Sequence, residues 1–156
     1  MFLYLVQHGK ALPKEVDPDR SLTEEGISET KRIANYIKKY ADKLPQRIIH
    51  SGKRRARQTA EMFEEILKPS EGIEQGKELE PESLPWGWVE KLKEYEGCIM
   101  IVGHLPHLKR LASLLLCHDE NKPIIQFYNS GAVFMSRDES GLWSLHWIVI
   151  PEIVPE

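Results

Sequence analysis

Two histidines in this chain each close a short apolar run and sit beside a glycine: His8 in "LVQHGKA" and His104 in "VGHLPHL". A neutral imidazole can attack phosphorus and carry the group as phosphohistidine. A second imidazole and an arginine can then stabilise charge on the equatorial oxygens. The stretch "SGKRRARQTAE" supplies cations, with Lys53, Arg54, Arg55 and Arg57 at a helix start, where the backbone already favours anions. One arginine turned inward offers a planar fork matched to phosphate oxygens, while the others form an ordinary solvated face. Arg20 can reach the same anion from another side.

Other chemistries find less support. His104 and His107 stand three apart in "HLPH", and His50 and His118 are also available, but the intervening proline disturbs helical geometry. No His-Glu-x-x-His pattern and no close cysteine or aspartate cluster occurs, so no metal or other cofactor is expected. The phosphate-loop pattern Gly-x-x-x-x-Gly-Lys-Ser/Thr and the Gly-x-Ser-x-Gly nucleophile turn are also missing.

The elements that must position these residues follow from periodicity. Phe2 to Val6 reads as a buried strand broken by Gly9, and residues 11–22 as a loop. "SLTEEGISETKRIANYIKKY" reads as a helix with Thr23 near its start, acids in its first turn, and an apolar stripe of Ile27, Ala34, Ile37 and Ala41. "QRIIHS" is a second strand, and "GKRRARQTAEMFEEILK" a second helix with Ala56, Ala60, Phe63 and Leu67 on one face. Residues 69–85, rich in Glu, Pro and Gly, read as loop, and "WGWVEKLKEY" as a short helix. "CIMIV" is a third buried strand, "LKRLASLLL" a helix, and "AVFMS" with "LWSLHWIVI" a terminal hairpin. This alternation predicts an α/β fold whose mainly parallel sheet carries helices on both faces. Ligands in such sheets bind beyond the carboxyl ends of the strands. Gln7-His8, His50-Ser51 and Gly103-His104 all fall at such ends.

The chain's 156 residues fit one domain, 1–156, and 41% hydrophobic with 29% charged residues describe a globular chain. A net charge of −3 gives no general affinity for nucleic acid or an anionic membrane. Cys98 and Cys117 lie in apolar runs and read as buried free thiols, which fits a reducing compartment. No signal peptide and no run of transmembrane length is visible, so a cytoplasmic protein is expected.

The stretches "LVQHGKA", "RSLTEEG", "IIHSGKRRARQTAE", "ELEP" and "VGHLPHL", in this order, resemble the histidine phosphatase superfamily, which includes phosphoglycerate mutases and acid phosphatases. The likeness is greatest to small bacterial phosphohistidine phosphatases of the SixA type, and reaches from residue 2 to about 111. It implies a phosphoglycerate mutase-like three-layer α/β/α sandwich without a cap domain. It also implies that His8 is phosphorylated, that Arg55 and Arg20 contact the phosphoryl group, and that His104 is the second histidine of the pocket. The implied substrate is phosphohistidine on a protein, such as a histidine phosphotransfer domain.

One position departs from the family pattern: Gln7 stands where the signature has arginine. Glutamine keeps an N–H donor but loses the charge and the bidentate fork. Arg55, Arg20 or Lys10 is left to supply the remaining charge. Among Glu78, Glu80 and Glu82 the sequence does not select a general acid. Two alternatives stand beside the phosphohistidine reading: a degenerate member that binds phosphate or phosphoprotein without turnover, and a phosphatase for a small phosphomonoester. "LPWGWVEKL", with two tryptophans, is either a protein-contact surface or core packing.

Overall fold

Apolar side chains on both faces of the first strand, β1 (Phe2–Gln7), require a layer on each side of it. The computed structural model describes residues 1–156 and shows both layers. After β1 the chain runs through α1 (Glu24–Tyr40), β2 (Arg47–His50), α2 (Arg54–Leu67), β3 (Ile73–Gln75), α3 (Trp86–Leu92), β4 (Cys98–Gly103), α4 (His107–Cys117), β5 (Ala132–Arg137) and β6 (Trp143–Val149). One six-stranded sheet has the order β3-β2-β4-β1-β5-β6. The first four of these neighbours are parallel, and β5 and β6 add an antiparallel margin.

The period-two alternation of the strands divides the core. Tyr4 and Val6 of β1 pack with Ile33 and Ile37 of α1 and Phe63 of α2. Leu3 and Leu5 pack with Trp88 of α3 and Leu108 and Leu111 of α4. The result is the three-layer α/β/α sandwich expected from the order of elements. No helix is long and apolar enough to cross a membrane.

Three local expectations change. The segment 69–85 is not all loop, because Ile73–Gln75 pairs in parallel with β2 as an edge strand. With three residues and one apolar side chain it carries no periodic signal, and its backbone hydrogen bonds hold it. The buried stripe of α1 is Gly26, Thr30, Ile33, Ala34 and Ile37, while Ile27 and Ala41 are half-buried. The two tryptophans divide: Trp88 is buried and donates from Nε1 to the Lys77 carbonyl at 3.0 Å, whereas Trp86 is exposed. Cys98 is a buried free thiol, and Cys117 is free but only half-buried.

Candidate active site

The parallel strands β1, β2 and β4 end side by side, and the chain after each carries a polar group. Gln7 is in register with Gly103 of β4, and the His8 amide donates to the Gly103 carbonyl at 3.0 Å. The next residue must then turn under crowding. A Cβ on Gly9 would stand 2.9 Å from Thr30 Oγ1 and 3.1 Å from both the Gly26 carbonyl and Ser130 Oγ. Only glycine fits there.

The turn is clamped from three elements. The Gly9 amide donates to Thr59 Oγ1 of α2 at 2.9 Å. Thr30 of α1 and Ser130, just before β5, join hydroxyls at 2.7 Å. Asn129 Nδ2 donates to the His8 carbonyl at 2.9 Å, and the Ser130 amide to the Gln7 carbonyl at 2.9 Å.

This frame fixes the His8 ring. Its Nδ1 lies 2.7 Å from the Gly9 carbonyl oxygen, which can only accept, so Nδ1 carries the hydrogen. Nε2 therefore keeps its lone pair, and Arg55 Nε donates to it at 3.3 Å. Burial pushes the His8 pKa down to about 4; the Gly9 carbonyl opposes this, and the charges of Arg55 and Arg20 add to it. The ring is neutral at pH 7.

His104 lies opposite, its ring centroid 5.0 Å from that of His8. Its Nε2 is 2.6 Å from Ser51 Oγ, and its buried Nδ1 has no partner. Burial, then the charges of His8 and Arg55, lower its pKa to about 3.

Of the basic cluster at the start of α2, only Arg55 is half-buried, while Lys53, Arg54 and Arg57 are exposed. Arg57 pairs with Glu61 one turn on. Arg20 stands in the left-handed region at φ +54°, with Nε bound to the Leu12 carbonyl at 3.1 Å. Its charge is felt at both His8 and Arg55. Arg20, His8, Arg55 and His104 are thus brought to one place. Gln7 lies at the same strand end, with its Oε1 buried and unpaired.

Lys10 is held elsewhere. Its Nζ is bound by Glu25 at 2.7 Å and Glu29 at 3.0 Å, both on α1. There is no obvious acid among the carboxylates after β3, all of which are exposed. Glu78 pairs with Lys91 at 2.9 Å. Glu80 accepts from Ser83 at 2.8 Å, and its backbone donors, with Ser83 second, hold its carboxyl below the usual range. His50 is occupied separately, its Nδ1 accepting from the Gly52 amide at 3.0 Å.

Ser51, Thr59 and Asn129 were not singled out from the sequence as site residues. Ser51 carried one usable sign, its place just past a strand end. Thr59 and Asn129 meet the His8–Gly9 turn across sequence gaps of 50 and 121 residues, which no local pattern reveals.

With this geometry in view, the comparisons define the class. Residues 3–80 match the sequence profile of the histidine phosphatase superfamily (branch 1), a segment containing His8, Arg20 and Arg55. The chain belongs to the histidine phosphatase superfamily. Its fold matches a structure of the protein histidine phosphatase SixA complexed with tungstate, with TM-score 0.83, 25% identity and 97% of each chain covered. An Agrobacterium tumefaciens protein assigned as a SixA phosphohistidine phosphatase shares the fold at TM-score 0.77 and 22% identity, covering 96% of this chain and 97% of that one. So does the α-ribazole phosphatase of Shigella flexneri, at TM-score 0.78 and 15% identity over 100% of both chains. No curated protein sequence matches the chain.

Proposed function

We propose that this protein hydrolyses phosphohistidine on a protein through a phosphoryl intermediate on His8 Nε2. The observation that carries this reading is the His8 tautomer: Nδ1–H is held by the Gly9 carbonyl, and the lone pair of Nε2 stands beside Arg55 and across from His104. Nε2 attacks the phosphorus of the substrate. The substrate ring, protonated by solvent on its other nitrogen, leaves as neutral imidazole: its P–N bond breaks and the electron pair returns to that ring. A water oxygen then attacks the phosphorus on His8. The P–Nε2 bond breaks, its pair returns to Nε2, and the proton of the water leaves with phosphate. Arg55, Arg20 and His104 stabilise the equatorial oxygens in both steps.

The choice of phosphohistidine over a phosphomonoester rests on the leaving group. A phosphorylated imidazole takes a proton on its free ring nitrogen near neutrality and leaves as neutral imidazole, whereas an alkoxide departs well only with a general acid. Glu78 is paired with Lys91, and the carboxyl of Glu80 is held ionised, which leaves neither suited to donate. The likeness to SixA supports the same substrate class. The test compares kcat/KM on a phosphohistidine peptide with that on a phosphoserine peptide, whose alkoxide leaving group needs an acid. Preference for the phosphohistidine peptide by about 10²-fold or more, the worth of a missing acid, is expected; equal or faster turnover of the ester would overturn the choice.

A second reading, binding without turnover, is favoured by one observation: Gln7 adds no charge to the strand end, and Lys10 is committed elsewhere, which leaves Arg55 and Arg20 as its cations. Its mark would be phosphopeptide binding with no phosphate release.

A further inference from the structure

We infer that Ser51 is a positioning residue that keeps the proton of His104 on Nδ1, so that this ring meets the phosphoryl group as a neutral hydrogen-bond donor. The inference rests on the proposed phosphatase reaction and assigns a task to a residue outside the phosphate-binding set.

The argument is one of satisfiability. Ser51 is 4% exposed, so its hydroxyl hydrogen needs a protein acceptor. Its oxygen already receives the Lys53 amide at 3.3 Å. The one acceptor within reach of its hydrogen is His104 Nε2, 2.6 Å away. Were Nε2 protonated instead, the Ser51 hydrogen would be buried without a partner. Donation by Ser51 therefore leaves Nε2 bare, and a neutral imidazole then carries its hydrogen on Nδ1.

That nitrogen belongs to a ring that is 1% exposed, and it meets no group of the protein. The ring itself lies against that of His8, centroids 5.0 Å apart, where Arg55 meets Nε2, and on this proposal the Nδ1–H is satisfied by a phosphoryl oxygen that a lone pair would repel. The two histidines are thus fixed as opposite tautomers. His8 is anchored through Nδ1 and presents Nε2 as nucleophile, and His104 is anchored through Nε2 and presents Nδ1 as donor.

Nitrogen-15 NMR of the histidine rings in the intact protein reads the tautomer directly. His104 should be the Nδ1–H form, and its Nδ1 resonance should move when inorganic phosphate is added. Ser51→Ala should shift His104 toward Nε2–H. It should also lower kcat on a phosphohistidine peptide by about 10- to 100-fold, the usual worth of a group that orients an imidazole through its other nitrogen, with KM nearly unchanged. Ser51→Thr, which retains the hydroxyl, should restore most of the loss. An Nε2–H tautomer in the wild-type protein, or a Ser51→Ala enzyme with full kcat, would overturn the assignment. If the wild-type protein turned over no phosphohistidine, the proposed function would fail, and the wild-type tautomer with its response to phosphate would still decide the role of Ser51.

Discussion

At the scale of single residues, Gln7 decides how strong the site is. An arginine at position 7 would return a charged fork to a place where an uncharged amide now leaves its oxygen unpaired. Gln7→Arg is expected to raise kcat/KM on a phosphohistidine peptide by about tenfold to a thousandfold, the range of one well-placed donor. Lys10→Ala should leave kcat within about threefold, because the ion pairs that tie Lys10 to α1 are partly exposed and hold its ammonium away from the phosphoryl group. Steady-state kinetics on both variants checks the pair; loss with each would mean that Lys10 leaves its carboxylates to serve the phosphoryl group. His8→Ala should abolish turnover while thermal unfolding stays cooperative, since this half-buried side chain is not part of either core layer. That His8 and His104 meet was readable from placement, because strand ends in an α/β sequence converge, whereas Arg55 was singled out of its basic cluster by the family likeness. The orientation of the two rings was not readable, since it depends on the Gly9 carbonyl and on Ser51, and one hydroxyl among many gives no signal until two strands lie side by side.

At the scale of elements, α1 is the wall against which the nucleophile's turn is built. A Cβ on Gly26 would lie 2.3 Å from the Lys10 carbonyl oxygen and 2.9 Å from its amide nitrogen. Backbone on both sides leaves little room for adjustment, so Gly26→Ala is expected to destabilise the fold by about 1–3 kcal/mol, as overpacking does. It should also weaken turnover, because the displaced segment follows His8 directly. Thermal melts and kcat on the same sample test this; unchanged values in both would show that α1 is not a fixed support. The helix itself was legible through Thr23, whose side chain accepts from the Gly26 amide, and through the acids of its first turn. The support role was not legible, because a glycine inside a helical pattern reads only as a weak helix former. β3 escaped for the complementary reason: an edge strand of three residues is defined by its neighbour β2, not by its own side chains.

At the scale of the whole molecule, histidines with depressed pKa values set the acid limit. His8 and His107 have pKa values pushed down to about 4 and His104 to about 3, in each case first by burial. The unfolded chain, whose histidines titrate near 6.5, binds more protons than the folded one below that pH. Stability should therefore be fully present above about pH 6.5 and fall as pH drops toward 4, which denaturant titrations at several pH values would show. Both ring nitrogens of the buried His107 lack a partner, so His107→Leu should flatten this acid slope; an unchanged slope would assign the loss to other groups. The sandwich was foreseeable because an alternating order of strands and helices has few solutions, whereas a buried, unpaired His107 at the start of α4 is a product of packing alone. What joins these scales is the phosphoryl group on His8, and one measurement sees it. The intact protein would be mixed with a phosphohistidine peptide, quenched in alkali within milliseconds, digested and analysed by mass spectrometry. The account predicts a phosphoryl group on the peptide containing His8, lost on acid treatment and missing from His8→Ala; turnover with no such adduct, or an adduct on another residue, would contradict it.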